Sequence, residues 1–204
     1  MTQELVTDPY WWDAAPPRRL PELSIDASCD VAVVGAGYAG LSAALVLARA
    51  GRSVQVFDKQ RPGEGASTRN GGLASANIHI SFGKMIETMG LKKALEFYNE
   101  GKAARHGLAN FLEAEGIDCD YRSVGRFVGA ARPSHYEAQG HEADILNKHL
   151  DIDAEIVPKS EQHREVGSDH YFGGMARSDL AGLHPGKFHN GLLVVAEILH
   201  KFPG

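Results

Sequence analysis

Residues 30–58 constrain this chain more than any other part of it. They run as a short apolar stretch, Val31-Ala-Val-Val34, then a turn, Gly35-Ala-Gly37-Tyr-Ala-Gly40, then a helical pattern and a second apolar stretch ending in Asp58. The first stretch has the β-branched composition of a strand buried on both faces of a parallel sheet. Gly35 permits a tight turn out of that strand. Gly37 lets backbone approach a pyrophosphate, and Gly40 lets the following helix lie close to the sheet. Leu41, Ala44, Leu45 and Ala48 recur at helical spacing, and Gly51 supplies a C-terminal cap. Asp58 falls about 20 residues beyond the glycines, where a carboxylate accepts hydrogen bonds from ribose hydroxyls. Strand, glycine turn, helix, strand and acid in this order define a Rossmann-like βαβ unit, an α/β fold that binds a dinucleotide across its helix N-terminus. Asp58 disfavours a 2′-phosphate by charge and leaves FAD and NAD both open.

A second glycine-rich segment follows, Gly65-Ala-Ser67-Thr-Arg69-Asn70-Gly71-Gly72. Arg69 has the fork geometry to pair with phosphate, Ser67 carries a hydroxyl donor, and paired glycines let a planar ring approach the backbone.

Together these segments resemble the D-amino-acid-oxidase-like family of FAD-dependent oxidoreductases, most of all its gamma-glutamylputrescine oxidase type. Tyr10-Trp11-Trp12, Cys119-Asp120 with Gly125 and Ala130-Ala131, and Leu183-His184-Pro185-Gly-Lys-Phe188 agree with it. The resemblance implies FAD as cofactor, held by Gly35, Gly37, Tyr38, Ala39, Gly40, Asp58, Lys59, Ser67, Arg69, Asn70, Gly71 and Gly72. It implies oxidation of a C–N bond in a small amine or amino acid, with hydride passing to the flavin and the imine then hydrolysed. No residue is assigned as catalytic, because the cofactor carries the chemistry. Arg69 and Asn70 are the candidates for groups near the ring. His79 and His184 are polar groups near a cleft whose simpler role is structural, His184 as a helix start.

The remaining sequence sets bounds. With 204 residues and 43% hydrophobic content the chain can bury a real core. A net charge of −5 argues against nucleic acid and anionic membranes as partners. No apolar run is long enough to span a bilayer, and prolines beside Arg18-Arg19 replace the apolar segment of a twin-arginine signal, so a cytoplasmic location is expected. Cys29 and Cys119 read as small buried fillers. The histidines and cysteines show no HxxxH, HExxH or CxxC spacing that would announce a metal site.

Organisation is read as an N-terminal arm over 1–29, with Trp11 and Trp12 packed on the body, and a first flavin-domain segment over 30–85. A mixed α/β substrate-domain segment covers 86–182, and a helix returns to the flavin domain over 183–204. Within 86–182 the pattern predicts a helix from Leu91 to about Glu115 weakened by Gly101 and Gly107, and a β-hairpin of 118–122 with 126–131. A helix from Pro133 to about His149, a helix start at Pro158 and a strand over 171–175 follow. The last helix carries an apolar stripe of Phe188, Leu192, Val195, Ala196, Leu199 and Phe202. A crossover helix of this kind leads to another strand. The chain is therefore expected to be the N-terminal part of a longer flavoprotein. The alternatives are an inactive flavin-domain piece, or a reductase module of another FAD or NAD(P) family.

Overall fold

The computed structural model describes residues 5, 7–21, 25–76 and 80–200. They form two compact units. Unit 1 comprises Met1–Gly72, Phe111–Tyr121 and Leu183–Gly204, and unit 2 comprises Leu73–Asn110 and Arg122–Gly182.

Unit 1 is built on β1 (Val31–Val34) and β2 (Val54–Phe57), paired in parallel with Val31 opposite Val54 and Val34 opposite Phe57. The crossover between them is α1 (Tyr38–Arg49). Its end is set by Gly51 at φ +77, where Gly51 N–H donates to Ala48 O and Arg52 N–H to Leu47 O, a left-handed cap closed by a 6→1 bond. Ala36, Leu41 and Leu45 pack against Leu192 and Leu193 of α2 (Pro185–His200), with Val56, Phe111, Val195 and Ala196 around them. Phe188 and Leu192 of the expected stripe are buried. The side chain of Leu199 and all of Phe202 lie outside the described residues.

One expectation fails in β1. Val31 and Val33 are half-buried, but Ala32 is exposed and Val34 is 89% exposed, so the strand is covered on one face rather than two. Val33 faces α1, its Cγ1 3.2 Å from where Gly40 would carry a Cβ, and among the described residues Ala32 and Val34 on the other side stay exposed.

Unit 2 has its own core, in which Phe82, Met85, Ala94, Tyr98, Leu146 and Met175 are buried together. Its helices are α3 (Phe82–Met89), α4 (Leu91–Ala114, of which Leu91–Asn110 belong to this unit) and α5 (Pro133–His149). Its larger sheet is antiparallel, with β3 (Arg126–Gly129) and β4 (Ala154–Val157) flanking β5 (Gly174–Arg177). A smaller ladder pairs residues 73–75 with 180–182. The first turn of α3 is held by Ser81, whose hydroxyl accepts from Lys84 N–H at 3.2 Å, and by the Glu142 carboxylate on α5, which accepts from Phe82 N–H at 2.8 Å.

The hairpin expected over 118–131 does not form. Residues 118–122 are not a strand, Arg122 makes a single bridge to Gly182, and β3 pairs with β5 instead. Turn glycines look alike whichever strand the chain meets next, so Gly125 could mark the break without naming the partner. The strand expected over 171–175 begins at Gly174 because Gly173, at φ +87, cannot lie in a regular ladder. Residues 159–164 form a 3₁₀ helix after Pro158.

Glycine positions in α4 have opposite meanings. A Cβ on Gly101 would lie 2.5 Å from the backbone oxygen of Ala76, whereas a Cβ on Gly107 would meet nothing within 4 Å. Gly101→Ala should therefore destabilise the protein by about 1–3 kcal/mol through overpacking. Gly107→Ala should stabilise it by about 0.5–1 kcal/mol through reduced chain entropy. Urea melts of the two single variants test this; equal shifts would rule out the close approach at Gly101.

Candidate functional site

The glycine turn of unit 1 is held open by polar contacts on both sides of one residue. Gly35, at φ +103, turns the chain out of β1 and donates to Phe57 O at 2.6 Å. Ala36 is then fixed twice. Its N–H donates to Asp58 Oδ2 at 2.7 Å, and its carbonyl contacts His189 Nε2 at 2.7 Å. Asp58 Oδ1 accepts from Gln60 N–H at 3.1 Å, which orients the whole carboxylate. Lys59 beside it is exposed.

The next amides have a different status. Tyr38 N–H donates to Ser67 Oγ at 3.0 Å, and Leu41 N–H donates to Gly37 O. The amides of Gly37, Ala39 and Gly40 make no hydrogen bond among the described residues. These are orphan donors at a helix N-terminus, where the helix dipole also favours negative charge. Side chains are excluded at two of these positions by the protein's own packing: a Cβ on Gly37 would lie 2.8 Å from Ser67 Oγ, and one on Gly40 would lie 1.9 Å from Gly35 O. Tyr38 closes the side of the turn. Its ring meets Phe188 at 4.7 Å, its hydroxyl donates to Pro185 O at 2.9 Å, and burial pushes its pKa up to about 12.

The second glycine segment is a braced loop. Residues 66–68 make a 3₁₀ turn. Asn70 Nδ2 donates to the carbonyls of Ala66 and Ser67, and its Oδ1 accepts from Gly72 N–H at 2.9 Å. Gly71 leads into Gly72, whose φ of +68 and whose void, 2.2 Å from Leu183 O, both exclude a side chain. Arg69 Nε donates to Glu64 O at 2.8 Å, and its guanidinium lies 4.4 Å above the Trp12 ring. Trp11 Nε1–H donates to Asn70 O and Trp12 Nε1–H to Thr68 Oγ1, each at 2.8 Å. The tryptophans of the N-terminal arm thus fasten this loop.

His184 is a helix start: its Nδ1 accepts from Lys187 N–H at 3.1 Å. Its ring also meets Trp11 edge-on at 4.9 Å. His79 lies outside the described residues. Cys119 is fully buried, and burial, aided by Asp118 and Asp120, pushes its thiol up to about 11, which makes it a poor nucleophile. Cys29 is half-buried and free.

Residues 30–199 match the family described as FAD dependent oxidoreductase, DAO. The chain belongs to this family. Gamma-glutamylputrescine oxidoreductase of Escherichia coli is 32% identical over 162 residues, covering 78% of this chain and 37% of that protein. A probable oxidoreductase, OrdL, of Rhizobium meliloti is 28% identical over 184 residues, covering 89% of this chain and 43% of its own length. Glycine oxidase from Geobacillus kaustophilus superposes with a TM-score of 0.66 at 20% identity, over 84% of this chain and 45% of that one. L-amino acid deaminase from Proteus myxofaciens superposes with a TM-score of 0.65 at 20% identity, over 91% and 40%. These structures share the mixed α/β fold of this chain. The chain spans less than half the length of the relatives it matches. FAD is the cofactor that defines the DAO family, and the orphan amides and side-chain-free turn fit its pyrophosphate.

His189 is the residue that sequence reading missed. It is fully buried, and its neighbours Phe188 and Leu192 marked only an apolar stripe. Its ring fills the space where Gly63 would carry a Cβ, with Nδ1 2.7 Å from that point and without a hydrogen-bond partner among the described residues. Facing a carbonyl, Nε2 must hold the proton. Burial lowers the pKa of the ring from its ordinary 6.5, against Ala36 O, Asp58 and Asn190, which favour the charged form. The unfolded chain therefore takes up a proton here that the folded chain resists. Stability is full above about pH 6.5 and is lost as pH falls below it, by at most about 1.4 kcal/mol per pH unit. The loss between about pH 7.5 and about pH 5.5, measured in urea melts, should be smaller in His189→Gln than in the parent. Equal losses would show that the ring takes no part.

Proposed function

We propose that this chain supplies the FAD-holding part of an oxidoreductase that oxidises the C–N bond of a small amine or amino acid. The observation that carries the reading is the set of amides at Gly37, Ala39 and Gly40 that are unpartnered among the described residues, beside a turn pinned by Asp58. In this reading Gly35, Gly37, Tyr38, Ala39 and Gly40 surround the pyrophosphate. Asp58 and Lys59 serve the adenosine side. Each carboxylate oxygen of Asp58 accepts one amide and keeps a lone pair for a ribose hydroxyl. The loop of Ser67, Arg69, Asn70, Gly71 and Gly72 lies along the flavin side, its shape kept by the Asn70 bonds and by the indoles.

When bound, FAD supplies the hydride acceptor. The chain's own residues hold and orient it and keep water from the turn. Support for an amine as substrate comes from the name of the Escherichia coli relative, gamma-glutamylputrescine oxidoreductase. Among the described residues no helix is long and apolar enough to cross a membrane. The working compartment on this reading is the cytoplasm, in keeping with cysteines that are free.

Two variants test the reading by visible absorption after purification with FAD. Gly37→Val puts a branched side chain against Ser67 and into the pyrophosphate position, so the flavin band should vanish while circular dichroism stays native. Normal flavin content in that variant would overturn the assignment. Asp58→Ala removes both the brace on Ala36 and the ribose acceptor, and should raise the Kd for FAD about tenfold to a hundredfold. An unchanged Kd would reduce Asp58 to a strand-end turn residue.

A further inference from the structure

Unit 2 carries a group of cationic side chains that the flavin reading does not use. Arg126 of β3 stands directly opposite Arg177 of β5 in an antiparallel pair, so the two side chains leave the sheet on the same face. Like charges in that arrangement repel. Arg177 is committed to Asp179: Nε donates to Oδ1 and Nη2 to Oδ2, both at 2.7 Å, and both residues are buried. Tyr98 also donates its hydroxyl to Asp179 Oδ2, at 3.2 Å. Burial first, then the Asp179 charge, pushes the Tyr98 phenol up to about 12, against the opposing charges of Arg177 and Arg105.

Arg126 has no such partner. Its side chain makes no hydrogen bond or ion pair with any described residue, and its Nε is buried and unsatisfied. Burial and the neighbouring Arg177 both disfavour its charge, and Asp179 only partly offsets them. A guanidinium does not resolve this by releasing its proton, as a lysine would. The Arg105 Nε is likewise buried without a partner, and its Nη1 reaches Ser123 Oγ at only 3.3 Å. Arg126 and Arg105 are each only partly buried as whole residues.

We propose that unit 2 holds a small-carboxylate site at Arg126, beside the Arg177–Asp179 pair. The planar fork of a guanidinium matches a carboxylate through two parallel N–H···O bonds. The nearby Asp179 charge selects a monoanion over a doubly charged phosphate. The carboxylate comes either from an amino acid or from a free organic acid. The site stands on unit 2 alone and does not depend on flavin.

The test is thermal melting of the purified chain, followed by circular dichroism, in sodium acetate against sodium chloride at matched ionic strength. Acetate at tenfold over its Kd should raise the melting temperature by about 3–5 °C. Arg126→Met should abolish that rise, and Arg126→Lys, with the charge but not the fork, should keep only part of it. Without acetate, Arg126→Met should melt no lower than the parent, since it removes an unpartnered cation. Comparing glycine, acetate and putrescine identifies the source. Glycine above acetate assigns an amino acid, acetate at or above glycine assigns a free acid, and a rise with putrescine overturns the proposal. So does an equal effect of chloride, a larger effect of phosphate, no rise in the parent, or an undiminished rise in Arg126→Met. Flavin absorbance read on the same samples separates this outcome from the fate of the FAD assignment.

Discussion

Both backbone polar groups of Ala36 are held by side chains distant in sequence, and the geometry of unit 1 follows from that. Asp58, at the end of β2, takes the N–H, and His189, on α2, takes the carbonyl. With the peptide clamped from both sides, Gly35 and Gly37 can only lead the chain into α1 with its first amides pointing outward. An anion site made of backbone donors is useful only if the donors are rigid, because amides free to turn would satisfy themselves on water or on one another. The clamp is thus what turns a glycine turn into a cradle. Burying an imidazole with one nitrogen unsatisfied among the described residues carries a cost, and on the proposed reading that cost falls where the cofactor is held.

Much of unit 1 was legible in the sequence because its determinants are local. The turn glycines, the apolar stretches of β1 and β2, the Gly51 cap and the stripe of the last helix each specify their own neighbourhood within a few residues. The same holds for Pro133 at the start of α5. What could not be read depends on partners far along the chain. The pairing of β3 with β5, rather than with residues 118–122, is a choice among similar strands. His189 gave no signal in the sequence because nothing beside it says that Gly63 leaves a space for its ring. One-sided burial of β1 is equally non-local, since a run of valines looks the same whether one face or two is covered.

The charged cluster of unit 2 illustrates the same limit. Arg126 and Arg177 are ordinary strand residues in the sequence, and only the antiparallel register sets them face to face. Their inequality then arises from Asp179 standing two residues after Arg177, which gives one arginine a bidentate partner and leaves the other without. Buried ion pairs of this kind contribute little net stability, but they fix geometry. Here the pair fixes which guanidinium is available.

The way the N-terminal arm is tied down has an optical consequence. The chain contains two tryptophans, and both indoles are bonded to the loop over residues 65–72, one to Asn70 O and the other to Thr68 Oγ1. Intrinsic fluorescence excited selectively at the indole band therefore comes from Trp11 and Trp12, seated against that loop. It brightens, dims or shifts as the arm, the loop and the His184 ring against Trp11 loosen or tighten, or as a chromophore comes near the indoles.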